Sequence, residues 1–359
     1  MNIKDSKSPL FDALVDFFKE FVQKNEGKEF GENITPSEIY SAITAHNNFQ
    51  HLQWGQQEDA EEFFGYLLDG LNEEFTESVK NLSEAEIKSL LNSILNDETR
   101  NNIKASIKKF NSPELESQEN KVTTTSSTTV GEDGWQEVNN SKKIVSSSRR
   151  EVEIKPSPIN HLFGGQFRST LKVPNEKHTQ SITLDPFLQI QLDISDDEIT
   201  SLTEAFKRIS TIEELQYKAN GGKDVIATKQ TFIDRLPNVL IIHLKRFSFT
   251  NKTSRYGRIE KIRKVIEYKE KLSVPVECLS PAIRSTPAEY KLIGVVYHHG
   301  LNSDGGHYTV DVLRNGSGNK WIRIDDTNIT SLELEHVLPN PGSEESKTAY
   351  ILMYQRISA

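Results

Sequence analysis

Gly305-Gly306-His307-Tyr308-Thr309 leads into His307 to Arg314, whose alternation reads as a strand. A second strand, Lys320 to Ile324, follows across Asn315-Gly316-Ser317-Gly318-Asn319, a hairpin loop by composition. With the turn centred on Ser317, position 309 lies opposite 325, and 307 opposite 327. His307 and Asp325 then share a face as diagonal neighbours, roughly 7–8 Å apart between backbones, a gap that an imidazole and a carboxylate close with a hydrogen bond. Such a pair is a general base and its orienting acid, two members of a nucleophile–base–orienter triad. The two glycines before the histidine leave room for a second extended backbone to approach. A slip of one residue would reverse the faces.

A metal centre competes for some of the same side chains. His298, His299, Asp304 and His307 offer nitrogen and oxygen ligands within a short stretch. Adjacent strand histidines point to opposite faces, however, and no helix-spaced His or Glu completes a ligand pattern. No metal and no cofactor is expected. The one cysteine of the sequence, Cys278, rules out an internal disulfide or a cysteine-rich zinc site. It lies between expected strands, away from any helix N-terminus or cation that would activate it, and reads as a structural thiol.

The elements that must position these groups change character along the chain. Ser8-Pro9 supplies an N-cap and a proline at the first helical position. Leu10, Phe11, Leu14, Phe17, Phe18 and Phe21 follow at helical spacing as one buried stripe. Capping boxes open further helices at Thr35-Pro36-Ser37-Glu38 and Ser83-Glu84-Ala85-Glu86. Between them Gln56 to Phe75 carries Ala60, Phe63, Phe64, Leu67, Leu68, Leu71 and Phe75 on one face. Glu58, Asp59, Glu61 and Glu62 in its first turns suit the positive end of a helix dipole. The amides of Gln56 and Gln57 fit that account less well and are free to bond backbone elsewhere.

Residues 112–151 are dominated by serine, threonine, asparagine and charge, a composition too polar to offset its ordering entropy, and read as a disordered insertion. Beyond it the periodicity is that of strands: Leu162 to Lys172 broken at Gly164-Gly165, Phe187 to Ile194, Val239 to Leu244, Tyr290 to Tyr297 and Ala349 to Gln355. The unbroken apolar run Val239 to Leu244 suits a strand buried on both faces. A short helix, Leu202 to Ile209, opens with the box Ser201 to Glu204. Helices first and mostly antiparallel strands after is an α+β pattern.

With 43 basic and 52 acidic side chains the formal net charge is −9, which argues against nucleic acid as partner. No apolar run approaches the roughly 18 residues of a membrane span, and the first residues lack a signal-peptide core. A cytoplasmic setting, with the nucleus as a second, and no membrane partner are expected.

Gln56-Gln57-Glu58-Asp59-Ala60-Glu61-Glu62-Phe63 resembles the glutamine-aspartate box of the ubiquitin-specific proteases, papain-like deubiquitinating enzymes. Leu236 to Phe247 resembles their central palm strand, and Tyr290 to Val310 their histidine box. Trp321-Ile322-Arg323-Ile324-Asp325-Asp326 resembles the strand that carries the third triad member, and Thr348 to Leu352 the closing strand. Phe163-Gly164-Gly165 and Tyr297-His298-His299-Gly300 point to one branch, which lacks the finger zinc cysteines.

The resemblance implies a hand of thumb (1–111), the insertion (112–151), and fingers with palm (152–359), most of the fingers coming from 160–235. It implies thiol-dependent hydrolysis at the C-terminal glycine of ubiquitin. His307 would be the base, Asp325 the orienter and Asp326 an aid to oxyanion binding, while Asp59, Gly306 and Tyr308 would meet the ubiquitin tail. The implied partners are ubiquitin, ubiquitinated proteins and an adaptor protein. The family's nucleophile ends an asparagine-rich segment upstream of the glutamine-aspartate box, and no such segment occurs here. The expectation is therefore a chain that starts partway through the thumb, exposes apolar helix faces and is inactive alone. The alternative is a non-catalytic ubiquitin-binding pseudoprotease.

Overall fold

The computed structural model describes residues 8–21, 34–46, 49, 57–80, 82–95, 97–110, 147–151, 157–174, 180–218, 224–250, 258–286, 288–302, 305–314, 320–340 and 347–357. Five helices come first: α1 (Pro9–Glu20), α2 (Ser37–Ala45), α3 (Ala60–Lys80), α4 (Glu84–Ser93) and α5 (Asp97–Phe110). Strand β1 (Ser147–Glu151) and helix α6 (Pro158–Phe163) lead into β2 (Gly165–Lys172), β3 (Gln180–Phe187), β4 (Ile190–Asp193) and α7 (Leu202–Ile209). Then follow β5 (Glu213–Lys218), β6 (Asp224–Arg235), β7 (Val239–Lys245), β8 (Phe247–Thr250), β9 (Arg258–Lys261) and β10 (Lys271–Ser273). The chain closes with β11 (Glu289–His299), β12 (His307–Arg314), β13 (Lys320–Asp325), β14 (Asn328–Leu332) and β15 (Lys347–Ile357).

Local signals set several helix starts. Ser83 and Ser201 form complete capping boxes with Glu86 and Glu204. Thr35 does not: α2 starts after Pro36 with no side-chain cap, because the Ser37 amide closes a tighter turn on the Thr35 carbonyl at 2.8 Å. Ser8 makes no side-chain cap either. Its task falls to Glu74 of α3, whose two carboxylate oxygens accept the Leu10 and Phe11 amides at 2.9 Å each. A buried carboxylate at a helix N-terminus meets both the orphan N–H groups and the dipole. The apolar stripe of α1 is only partly buried. Leu10 and Ala13 are covered by α2 and α3, while Phe11, Phe18 and Phe21 are exposed; Phe18 and Phe21 pack with Phe17 on the outer side of the helix.

Five strands in the order β1-β3-β2-β6-β5 make one sheet, the fingers. The expected insertion over 112–151 needs correcting at its end, since Ser147–Glu151 pairs in parallel with β3. An open sheet edge offers backbone donors and acceptors to any extended chain, so a polar stretch can join it through the main chain alone. Residues 112–146 lie outside the described residues.

The larger sheet, the palm, runs β14-β13-β12-β11-β15-β7-β4, with β10 also paired to β11. Pairing is antiparallel except for β4 with β7. Leu240, Ile242 and Leu244 of β7 face one core with α7, whereas Ile241 faces α3 on the other side. Helix α3 lies there through Phe64 and Leu68, against Ile241, Tyr350 and Ile351. Each such fully buried aliphatic side chain contributes roughly 1.5–3 kcal/mol. The N-terminus of α3 is thereby brought beside the ends of β11, β12 and β13.

Candidate active site

The β12–β13 register pairs Val310 with Ile324, which sets 309 opposite 325 as the loop composition predicts. His307 and Asp325 meet across the diagonal, His307 Nε2 lying 2.6 Å from Asp325 Oδ1. An ionised carboxylate only accepts, so Nε2 carries the proton and Nδ1 keeps its lone pair. Nδ1 is then the ring nitrogen not engaged by Asp325, in a pair whose side chains are 46% and 43% exposed. The pair is reachable from solvent. Asp326 follows at φ 50°, a left-handed conformation in the tight turn between β13 and β14, and its carboxylate falls within 4.8 Å of the other two groups.

Three long-range bonds tie the start of α3 to this corner. Asp59 caps α3 through Oδ1, which accepts the Glu61 and Glu62 amides at 2.8 and 3.3 Å. Its Oδ2 accepts the Tyr350 hydroxyl at 2.6 Å. The Tyr308 hydroxyl accepts the Ala60 amide at 3.4 Å, and Gln57 Oε1 accepts the Gly306 amide at 3.2 Å. Burial, and then the neighbouring Asp59 carboxylate, push the Tyr308 phenol up to about 12. The amide of Gln57 thus does bond a distant backbone; Gln56 lies outside the described residues.

The loop before His307 is held from beneath. A Cβ on Gly306 would sit 2.3 Å from His298 Nε2 and 2.6 Å from the His299 carbonyl, so this glycine is needed for packing within the chain itself. His298 is 3% exposed among the rings of Phe247, Tyr308 and Tyr350. Lys261 Nζ, from β9, donates to the carbonyls of His298 and Gly300 at 3.1 and 2.7 Å. Gly300 takes φ +112°, which a side chain would strain. Lys261 carries no sequence signal, and Tyr350 falls in the segment that resembles the closing strand but without a role there; both roles arise from strands far apart in the chain.

His298 and His299 project to opposite faces, and His299 Nε2 pairs with Thr309 Oγ1 at 2.8 Å. The structure therefore does not assemble the histidine cluster His298, His299 and His307 as one ligand set, and Asp304 lies outside the described residues. Among the described residues a three-ligand grouping is formed by His307, Asp325 and Asp326 themselves. Cys278 sits apart, 0% exposed in the short turn Val276–Cys278 beside α7 and β6, its thiol pushed up to about 11 by burial.

The family model for ubiquitin carboxyl-terminal hydrolases matches residues 1–354, and the chain belongs to that family. Ubiquitin carboxyl-terminal hydrolase 3 of Saccharomyces cerevisiae is 43% identical over 98% of this chain and 45% of its own length. The probable hydrolase 3 of Schizosaccharomyces pombe is 37% identical over 98% of this chain and 66% of its own length. Ubiquitin carboxyl-terminal hydrolase 10 of Gallus gallus, from the branch that the glycine and histidine motifs resemble, is 32% identical over 98% of this chain and 43% of its own. The chain spans between 43% and 66% of these curated relatives. Among solved structures, the SAGA Ubp8/Sgf11/Sus1/Sgf73 DUB module bound to ubiquitin aldehyde shares the fold, with TM-score 0.57 and 20% identity over 99% of this chain and 60% of that one. The same module bound to monoubiquitin aligns with TM-score 0.54 and 22% identity over 90% of this chain and 53% of that one.

Proposed function

We propose that this chain forms the ubiquitin-gripping palm, fingers and partial thumb of a deubiquitinase, with His307 as general base and Asp325 as its orienter. The observation that carries the reading is the 2.6 Å His307–Asp325 bond beside the α3 N-terminus, which leaves Nδ1 not engaged by Asp325. In the full reaction Nδ1 takes the proton of a cysteine thiol, and the thiolate attacks the carbonyl of ubiquitin's last glycine. The imidazolium returns that proton to the departing amine, and water then hydrolyses the thioester. Asp59, Gly306 and Tyr308 line the path of the tail, and Asp326 supports the oxyanion.

Cys278 does not supply the thiol, since it is enclosed in the core, where burial outweighs the opposing pull of Ser210 and Lys207 and holds the thiol up at about 11. On this reading the residues of this chain bind ubiquitin without turning it over. An adaptor protein, as in the SAGA module, is the further partner this reading admits.

The test uses ubiquitin carrying a C-terminal electrophile, together with labelled ubiquitin for binding. No adduct forms, and removing ubiquitin's C-terminal tail weakens binding at least tenfold. An adduct abolished by Cys278→Ser, or equal affinity for tailless ubiquitin, refutes the proposal.

A further inference from the structure

A charge taken from water into a protein interior is normally paired, because lost hydration is otherwise not replaced. Two cations on one side of the palm depart from this together. Arg246, which follows β7, is 1% exposed. Its Nε donates to the Ala349 carbonyl at 2.6 Å and its Nη1 to those of Ile262 and Lys264 at 2.8 and 3.0 Å. It has no carboxylate partner among the described residues, and Nη2 has no acceptor there. Lys347, the first residue of β15, is half-buried with Nζ 3.9 Å from the centre of the Tyr297 ring. It makes no hydrogen bond or ion pair among the described residues. Burial holds its ammonium down at about 8.

Both side chains line one cavity of about 330 Å³. Ile266, Val337, Leu338 and Pro339 give it apolar walls. The hydroxyls of Tyr268 and Tyr297 are already committed to the Val337 carbonyl at 2.6 and 2.9 Å. Glu335 stands exposed at the rim and pairs with neither cation. Among the described residues the cavity thus offers positive charge with no carboxylate partner, together with apolar surface, in a volume near the small end of ligand sites. A compact dianion such as phosphate would match the charge and leave the walls against water.

We infer that this cavity binds a small carboxylate carried on an apolar group, its oxygens drawn to Lys347 and Arg246 and its body against Val337 and Leu338. Neither His307 nor Asp325 lines this cavity, which lies along the palm strands that also carry them. Lys347 is the register partner of His299, which is in turn the cross-strand partner of His307. Neutralising Lys347 removes a positive charge that acts on the imidazole next to the base.

The experiment titrates the full chain with hexanoate, hexanamide and inorganic phosphate, following the unfolding midpoint and the NMR resonances of Tyr297 and Val337. Hexanoate raises the midpoint with concentration and shifts both resonances, with hexanamide and phosphate at least tenfold weaker. Lys347→Met weakens hexanoate at least tenfold. Leu338→Trp, which fills the cavity and keeps both charges, abolishes binding, so loss does not hinge on one variant's folding. Equal binding of hexanoate and hexanamide, or an unchanged affinity in Lys347→Met, overturns the inference. So does hexanoate binding that appears only after Glu335 is changed to Gln, since that rim acid then occupies the site.

Discussion

Acid should destabilise this protein through two buried histidines that lie outside the His307–Asp325 pair. Among the described residues, His243 is 7% exposed and neither of its ring nitrogens has a hydrogen-bond partner, Nδ1 lying 3.8 Å from Glu61 Oε1, while His298 is 3% exposed and its Nδ1 has no hydrogen-bond partner. Desolvation brings each from 6.5 to about 4; the nearby Asp59 opposes the shift, and Lys245 assists it at His243 and Lys261 at His298. Unfolded, each ring titrates near its ordinary value. Between 6.5 and 4 the unfolded chain therefore holds more protons than the folded one, and stability falls as pH falls through that window.

The linkage integral gives roughly 2 kcal/mol per histidine at pH 5, almost nothing at pH 7, and so about 4 kcal/mol for the pair. That is a large part of the roughly 5–15 kcal/mol typical of a folded domain. Glu61 acts in the opposite sense: burial raises its carboxyl, so the folded state gains where it retains that proton. Urea unfolding at pH 7 and pH 5 separates the contributions. The parent chain loses at least about 4 kcal/mol between the two, His243→Gln and His298→Gln each lose about 2 less than the parent, and the double variant keeps only the remainder, to which His299, also held below its ordinary value by burial, contributes. The comparison is of pH dependence within each variant, so a general weakening by either substitution does not disturb it. A double variant as acid-sensitive as the parent would refute the reasoning.

Two further outcomes concern the supports of the site. Glu74→Ala leaves the Leu10 and Phe11 amides without their carboxylate and should cost about 3 kcal/mol in urea unfolding, with Glu74→Gln near half of that. Arg323 Nε and Nη2 each donate to Asp311 at 2.7 Å, and Asp311 is 0% exposed. Arg323→Met should therefore lower stability by about 3–5 kcal/mol by stranding that carboxylate, and adding Asp311→Val should restore most of the loss in the same thermal melts.

What was legible in the sequence is what short range decides. The five-residue glycine loop and its alternating flanks set the β12–β13 register, and with it the meeting of His307 and Asp325. The boxes at Ser83 and Ser201 close over three residues and formed as read. The box at Thr35 and the cap at Ser8 failed, the first to a competing turn and the second to Glu74, which is more than sixty residues away in the chain. A helix start can be satisfied by any acceptor that tertiary packing delivers, and periodicity carries no trace of one from a neighbouring helix. The α1 stripe shows the same limit: spacing marks an apolar face but not how much of it the partner helices cover.

The same long-range bonds change how mutations at the motif residues are to be interpreted. Asp59, Gly306 and Tyr308 enter as residues for the ubiquitin tail, yet each already has an internal partner. Asp59 caps α3 and accepts Tyr350, Tyr308 accepts the Ala60 amide, and Gly306 makes space for the His298 ring. These bonds join segments 291 and 248 residues apart, so they fix the helix start against the strands that carry the base. An Asp59→Ala variant that loses affinity for ubiquitin speaks to the helix cap as much as to the tail. Tyr350→Phe removes only the hydroxyl bond to Asp59 and leaves the cap and the exposed edge of the carboxylate intact. Affinity lost with Asp59→Ala but kept with Tyr350→Phe assigns the carboxylate to the helix cap or to the ligand rather than to the Tyr350 tie. Affinity lost with both assigns it to holding α3 against the palm, where the position of Asp59 relative to His307 is set.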